Sequence, residues 1–210
     1  MTAREEVLAR IRGAIGENPR TNDVPRDYRH AGEHQPGAEE LVAMLVDRLE
    51  DYRATVVRVE DGTEAEIGRA ISETLASRGI SQAITPSGAP PDWTGSVADS
   101  IIDDGSLDAR SLDGVPAVVT GSVVAIAETG TIVLDGGPLC GRRAITLVPD
   151  THACVVRVTD IVQTVPEGLA RLDPTRPLTF ISGPSATSDI ELNRVEGVHG
   201  PRTLIAVIAG

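Results

Sequence analysis

The sequence predicts an α/β domain with a mixed, mostly parallel sheet and a helical extension at its N-terminus. Two observations support this prediction. From residue 54 onward, runs of β-branched residues alternate with segments whose apolar residues recur at helical spacing, which is typical of βαβ units. Such units join parallel strands through right-handed crossovers. The chain before residue 54 contains two helical patterns and no strand pattern.

The N-terminal part begins with a short helix. Thr2 and Glu5 have the spacing of a capping box, and Gly16 is the expected end of the helix. Residues 17–37 are rich in proline, glycine and charge and poor in aliphatic residues. We therefore expect an exposed, mobile linker between this helix and the rest of the chain.

The strand and helix patterns continue to the C-terminus. Thr63 and Glu66 form a second capping-box pattern, and Gly79 ends the helix that they open. The other expected elements are helices at about 38–52 and 160–171, and strands at 55–59, 80–85, 97–102, 117–127, 131–134, 143–148, 153–158, 178–182 and 204–208. We divide the chain into a helix and linker, residues 1–37, and an α/β domain, residues 38–210.

The composition limits what this protein can bind. Of the 210 residues, 40% are hydrophobic and only 2% aromatic, so aliphatic side chains must build the core. A formal net charge of −12 disfavours binding to nucleic acid. All 19 basic residues are arginines, which excludes chemistry that needs a Schiff-base or Walker lysine. No run reaches the roughly 18 apolar residues of a membrane span, and the charged N-terminus lacks the apolar core of a signal peptide. We expect a cytoplasmic protein with reduced cysteines.

Metal binding is not predicted. The chain has two cysteines, Cys140 and Cys154, and His152 shares a strand face with Cys154. No spacing of these three soft ligands fits a metal site, and two thiols are too few for an iron–sulfur cluster. We expect each cysteine to be a small buried hydrophobic residue.

The first candidate catalytic residue is Glu128. It ends an apolar run and opens a turn with Thr129 and Gly130, which are candidate ligand-binding residues. A partly desolvated carboxylate at the edge of a hairpin suits nucleophilic or acid–base chemistry. The structural alternative is a glutamate that only hydrogen-bonds the local backbone.

The second candidate is a glycine loop that follows a predicted strand. Residues 182–191 are rich in hydroxyl groups, and such loops can present backbone N–H groups to an anion. The candidate ligand-binding residues are Gly183, Ser185, Thr187 and Asp189. An ordinary capped turn is the alternative.

The third candidate is His199, on a turn before a proline and the last strand, where an imidazole can act as an acid or base. A purely structural histidine is the alternative. Arg143 or Arg142 is expected to hold a carboxylate or phosphate, although surface salt bridges would also explain them. We expect Glu128, the loop at 183–185 and His199 to converge on one pocket at the carboxyl ends of the strands.

These motifs together resemble a known family. They are AIAETGT at 125–131, then Arg143, Pro149 and His152, then SGPSATSDIE at 182–191 and GVHGP at 197–201. In this combination and order, the chain resembles the lactate utilization protein C family (LutC/YkgG), which is built on the LUD domain. The resemblance extends over essentially the whole chain.

The resemblance implies an open sheet with helices on both faces, similar to the NagB/RpiA/CoA-transferase group. It also implies a role in oxidising L-lactate to pyruvate with two iron–sulfur partner proteins. Because this chain has no C-x-x-C pattern, clusters are expected on the partners and no cofactor is expected in this chain. A small carboxylate or other anion is the expected ligand, and a homo-oligomer stays open.

Two other functions stay open. In related CoA-transferases the catalytic glutamate lies beside a glycine turn, and Glu128 with Gly130 resembles that arrangement. The chain could then be a stand-alone enzyme of the CoA-transferase or sugar-phosphate-isomerase type that uses Glu128. The remaining alternative is a non-catalytic module for ligand binding or assembly.

Overall fold

Residues 2–16, 24–187, 195–196 and 199–210 are described by a computed structural model. The helices are α1 Ala3–Ile15, α2 Glu39–Asp51, α3 Glu64–Ala76, α4 Ala109–Asp113 and α5 Val165–Ala170. The strands are β1 Thr55–Val59, β2 Gln82–Pro86, β3 Asp99–Asp103, β4 Ala117–Gly121, β5 Val124–Ile126, β6 Thr131–Leu134, β7 Thr151–Arg157, β8 Ile161–Val162, β9 Thr179–Ile181, β10 Ala186–Thr187, β11 Val195–Glu196 and β12 Thr203–Ala209. No helix within these described ranges is long and apolar enough to cross a membrane.

The main sheet has six strands in the order β1-β12-β7-β4-β2-β3, and every neighbouring pair is parallel. Its central strands are almost continuous apolar runs because both faces of the sheet are covered. β12 reads TLIAVIA, and all but its first residue are buried. The predicted α/β class with a mostly parallel sheet is therefore confirmed.

Helices cover both faces of the main sheet. Successive side chains of a strand point to opposite faces, so β12 contributes to two separate cores. Leu204 and Ala206 pack with the buried face of α2, whereas Ile205 and Val207 pack with that of α3. The buried residues of these helices recur at helical spacing: Leu41, Val42, Leu45 and Leu49 in α2, and Ile67, Gly68, Ile71 and Leu75 in α3.

A second sheet lies on the α2 side of the main sheet. Its strand order is β8-β5-β6-β9, with β6 antiparallel to both of its neighbours and β5 parallel to β8. Its buried residues Ala125, Ile132, Leu134 and Ile161 share one core with α2 and with one face of the main sheet. The helix α2 is therefore enclosed between the two sheets.

The single strand expected at 117–127 is in fact two strands in different sheets. β4 ends at Gly121, whose N–H donates to the Leu139 carbonyl at 2.8 Å. The Ser122 hydroxyl donates to the Val155 carbonyl at 3.0 Å. These bonds end the ladder of the main sheet, and the chain crosses into β5. The unbroken apolar sequence reflects the burial of both strands rather than their continuity.

The prediction of a strand at 143–148 is wrong. This segment consists of turns in which the Thr146 N–H donates to the Arg143 carbonyl and the Leu147 N–H donates to the Ala144 carbonyl, both at 3.2 Å. Ile145 is buried, and Ala144 and Val148 pack against the same core, so these apolar residues anchor turns rather than an extended strand.

The helix expected at 160–171 is shorter in the structure. Its first part is a 3₁₀ turn followed by β8, and α5 begins only after Thr164. Thr164 and Glu167 form a reciprocal capping box, and a proline lies in the first turn, so the helix starts there.

The N-terminal helix has the expected capping box of Thr2 and Glu5 and ends at Gly16, but none of its residues is buried. Residues 17–23 lie outside the described part of the chain. Residues 24–37 contain no helix or strand. The division at residue 37 and the mobility of the linker stay predictions.

The end of this linker is hydrogen-bonded to the α/β domain. The Gln163 side-chain oxygen accepts from the backbone N–H groups of Glu33 and His34, at 2.7 and 3.1 Å. The Gly32 N–H donates to the Glu167 carboxylate at 3.1 Å. Because these contacts are polar, an analysis of apolar residues alone does not predict them.

The enclosed position of α2 predicts a large difference between two truncations. Leu45 is 0% exposed and lies between the sheets, whereas Val7 on α1 is 56% exposed. Leu45→Ala should lower the free energy of unfolding by about 2–5 kcal/mol, as deletions in a packed core do. Val7→Ala, the matched control, should change it by less than about 0.5 kcal/mol. Urea titration of both variants measures the difference, and equal effects would contradict the burial of α2.

Candidate functional site

An open cavity of about 200 Å³ lies beside the first residues of β7 and β12 and the carboxyl end of β9. It is lined by Arg143, Thr146, His152, residues 179–185, His199, Gly200, Pro201 and Leu204. The sequence predicted a pocket at the carboxyl ends of the strands. For the main sheet this prediction is wrong, because the cavity lies at the amino ends of β7 and β12. β9 belongs to the second sheet, so the loop after it lies over the amino ends of β7 and β12.

Hydrogen bonds join the two loops of the cavity that contain Ser185 and His199. The Ser185 N–H donates to the Pro201 carbonyl at 2.8 Å, and the Ser185 hydroxyl accepts from the His199 N–H at 3.0 Å. Gly183 has a φ of 83° and packs against Tyr52, where an added Cβ would come within 2.5 Å of the tyrosine Cβ. The loop therefore requires glycine here, and Ser185 connects the loops.

Arg143 places a positive charge in the wall of this cavity. One terminal nitrogen donates to the Thr146 carbonyl and hydroxyl oxygens at 2.9 and 3.1 Å, and the other donates to the His199 carbonyl at 3.3 Å. Partial desolvation by the cavity walls lowers the pKa of Arg143. No carboxylate of the described residues forms an ion pair with it. The guanidinium has five N–H donors, so some remain for an anion in the cavity.

His152 is the buried member of the cavity wall. It is 1% exposed, and its Nε2 lies 2.7 Å from the Thr120 hydroxyl oxygen. Burial, with a smaller effect from the charge of Arg143, lowers the pKa of His152 to about 4. The imidazole is therefore neutral at physiological pH.

Both cysteines are buried, as expected, and both lie near the Gly121 carbonyl. The sulfurs of Cys140 and Cys154 lie 3.7 and 3.6 Å from the Gly121 carbonyl oxygen. Burial raises the pKa of each thiol to about 12, so both are protonated at neutral pH. Within the described ranges, no three metal-ligating side chains cluster.

Glu128, Thr129 and Gly130 lie on the turn between β5 and β6 and do not line the cavity. The Glu128 carboxylate accepts from Arg29 at 2.8 Å and from the Gln163 side-chain nitrogen at 3.1 Å. The prediction that Glu128 shares a pocket with His199 is therefore wrong. The turn starts in the second sheet and faces the linker, a position that depends on the sheet change after β4.

Of the remaining candidate residues, Arg142 and Thr187 do not line the cavity. Arg142 holds the buried Asp103 carboxylate through two nitrogens at 2.9 Å and also donates to the Leu107 carbonyl, so it stabilises the fold. Thr187 lies in β10, directly after the cavity loop. Asp189 lies outside the described residues. The cavity thus brings together Arg143, Gly183, Ser185 and His199 from the predicted set.

Sequence reasoning missed His152 as a residue of the cavity wall, together with its partner Thr120. The available signal was a histidine at the start of an otherwise apolar strand, HACVV. A polar side chain that faces a buried core needs a hydrogen-bond partner. The partner here is far away in sequence, and only the pairing of β4 with β7 brings it close.

Comparison with known proteins identifies this arrangement of sheets and loops as a LUD domain. The LUD domain family model matches residues 109–209, which extend from α4 to β12 and include every described residue that lines the cavity. A crystal structure of a DUF162 family protein from Deinococcus radiodurans is 38% identical, with a TM-score of 0.68. The match covers 82% of this chain and 98% of that chain.

Similar proteins of known family narrow the identification within LUD-domain proteins. Lactate utilization protein C from Deinococcus radiodurans is 46% identical over 175 residues, which cover 81% of this chain and 80% of the relative. Lactate utilization protein C from Geobacillus sp. (strain WCH70) is 27% identical over 226 residues, 94% of this chain and 92% of the relative. The chain belongs to the lactate utilization protein C family, which confirms the resemblance seen in its motifs.

The burial of His152 predicts a specific pH dependence of stability. The pKa of this histidine falls from an ordinary 6.5 to about 4 in the folded protein. Between these pH values the unfolded chain binds more protons, so the free energy of unfolding falls as the pH is lowered through this range, by about 3 kcal/mol at most. Urea titrations at several pH values measure this loss.

Two variants separate this contribution from that of the carboxylates. His152→Phe should show a smaller loss of stability between these pH values than the wild-type chain does. Replacing the exposed His30 by Gln should leave the loss unchanged. An identical pH dependence in wild type and His152→Phe would contradict the buried, neutral state of His152.

Proposed function

We propose that this protein acts in lactate utilization and that its cavity binds a small carboxylate, with L-lactate as the ligand. The observation that carries this proposal is Arg143, which lines the cavity without an ion pair to any described carboxylate. The names of the relatives, lactate utilization protein C, supply the identity of the acid.

The surroundings of Arg143 favour an anion of small size. Its contacts to the Thr146 and His199 carbonyl oxygens fix the guanidinium, and no carboxylate of the described residues neutralises its charge. The neutral His152 adds no charge to the wall. A carboxylate in the cavity would therefore meet the guanidinium of Arg143, and its two oxygens suit the planar fork of that group.

We also propose that the chain works with two iron–sulfur partner proteins in the oxidation of L-lactate to pyruvate. This oxidation releases two electrons and two protons, and the electrons would pass to the clusters of the partners. The chain has only two cysteines, both buried and protonated, so its own residues do not suit a four-thiolate cluster. Its role would be to bind and orient the acid.

Replacing Arg143 tests the ligand. Arg143→Gln keeps a long polar side chain and removes the charge, so L-lactate should bind about 10-fold more weakly or not measurably, since charge-assisted hydrogen bonds are lost. Titration of ¹⁵N-labelled protein with sodium L-lactate measures the dissociation constant. Arg110→Gln, at an exposed position on α4, is the matched control. Equal affinity in wild type and Arg143→Gln would contradict the proposal.

Replacing Glu128 separates this function from that of a stand-alone enzyme. Because Glu128 lies outside the cavity and pairs with Arg29, Glu128→Gln should leave lactate binding within about 3-fold of wild type. Lactate oxidation by the purified chain with its partner proteins should also persist. A loss of about 100-fold or more, the scale for a missing acid–base group, would instead support Glu128 chemistry. Trapping of an acyl group on Glu128 from acyl-CoA would do the same.

A further inference from the structure

We propose that His152 accepts a hydrogen bond from the hydroxyl group of the ligand, so that the cavity binds a 2-hydroxy acid more tightly than the same acid without the hydroxyl. This inference rests on the proposed function, because it assumes that a carboxylate is held by Arg143. It assigns to His152 a direct contact with the ligand through Nδ1. It assigns to Thr120 and Cys154 the role of positioning residues, which act through His152.

The argument starts from a carbonyl oxygen. Gly121 O can only accept hydrogen bonds, and the Cys154 sulfur lies 3.6 Å from it. Cys154 is fully buried and its raised pKa keeps the thiol protonated. The S–H proton of Cys154 therefore points to the Gly121 oxygen, and the sulfur is left as an acceptor.

The next link fixes the hydroxyl proton. The Thr120 oxygen lies 3.7 Å from the Cys154 sulfur and 2.7 Å from Nε2 of His152. The Thr120 hydroxyl donates to the Cys154 sulfur. We assign its oxygen as the acceptor in the 2.7 Å bond, which places the ring proton of His152 on Nε2.

This assignment gives His152 the tautomer that is protonated on Nε2. A neutral imidazole with a proton on Nε2 has a lone pair on Nδ1. Nδ1 makes no hydrogen bond to any residue that the structure describes, and His152 lines the cavity. From the described residues, the cavity thus presents the guanidinium of Arg143 as a cation and Nδ1 of His152 as an acceptor.

These two groups match a 2-hydroxy acid. Its carboxylate and its hydroxyl group lie on adjacent carbons, so one small molecule offers an anion to Arg143 and an O–H donor to His152. A 2-oxo acid such as pyruvate would place a carbonyl oxygen against the lone pair of Nδ1, and two acceptors repel each other. Propionate would leave Nδ1 without a partner. The expected order of affinity is L-lactate first, with propionate and pyruvate below it.

The test compares L-lactate with propionate, which differs only by the hydroxyl. In the full-length wild-type protein we expect L-lactate to bind about 3- to 10-fold more tightly, the usual scale for one neutral hydrogen bond. His152→Phe should remove this preference and keep propionate affinity within about 2-fold. Cys140→Ala is the matched control, because Cys140 also bonds Gly121 O but has no link to His152, and it should keep the preference.

A second measurement does not depend on the His152 variant. The ¹⁵N chemical shifts of the His152 ring in wild-type protein report which nitrogen is protonated, and we expect Nε2. Thr120→Val deletes the hydroxyl with little change of shape, so this variant should lose the fixed tautomer and most of the preference for L-lactate. The same two readouts apply if His152→Phe fails to fold.

Each result has a distinct meaning. Equal binding of the two acids to wild type, a preference that survives in His152→Phe or Thr120→Val, or protonation of Nδ1 would overturn the inference. In those cases a loss of both acids in Arg143→Gln would still support a carboxylate site. If neither acid binds to wild type, the proposed function fails, and this inference fails with it.

Discussion

The parallel pairing of β4 with β7 is the constraint on which the site depends. Its register places Thr120 opposite Cys154 and Val118 opposite His152. Because alternate side chains of a strand share a face, Thr120, His152 and Cys154 all point to the same side of the sheet. A slip of β4 by one residue against β7 would turn Thr120 to the opposite face of the sheet from His152 and Cys154 and would break this polar set.

The same pairing explains how a histidine is tolerated in the core. His152 loses its contact with water, and a buried polar group is costly unless it is hydrogen-bonded. Thr120 supplies the bond to His152 and donates to Cys154, and Cys154 donates to the carbonyl of Gly121 at the point where the backbone leaves the main sheet. The change of sheet that shapes the second layer thus also completes the polar chain beneath the cavity.

Arg143 provides a positive charge in the cavity of a chain whose formal net charge is −12. The overall field of such a protein repels anions at long range. Recognition of a carboxylate must therefore come from short contacts inside the cavity, where desolvation strengthens them. This favours a small ligand that enters the cavity over an extended polyanion that stays on the surface.

Much of the fold could be predicted because the βαβ segments carry their own signals. The helix stripes of α2 and α3 and the strand β12 follow from local periodicity and capping residues. The division of residues 117–127 between two sheets could not be predicted, because it depends on hydrogen bonds from Gly121 and Ser122 to distant carbonyl groups. The site shows the same limit. Arg143 and His199 stand on recognisable turns, but the place of Glu128 and the role of His152 depend on sheet pairing, which local patterns do not encode.

The most direct test of the account is a crystal structure of the protein grown with L-lactate at saturating concentration. The account predicts that the carboxylate lies against the guanidinium of Arg143 and that the hydroxyl lies within hydrogen-bond distance of Nδ1 of His152. Lactate bound at another place, with the cavity beside Arg143 still occupied by solvent, would contradict it.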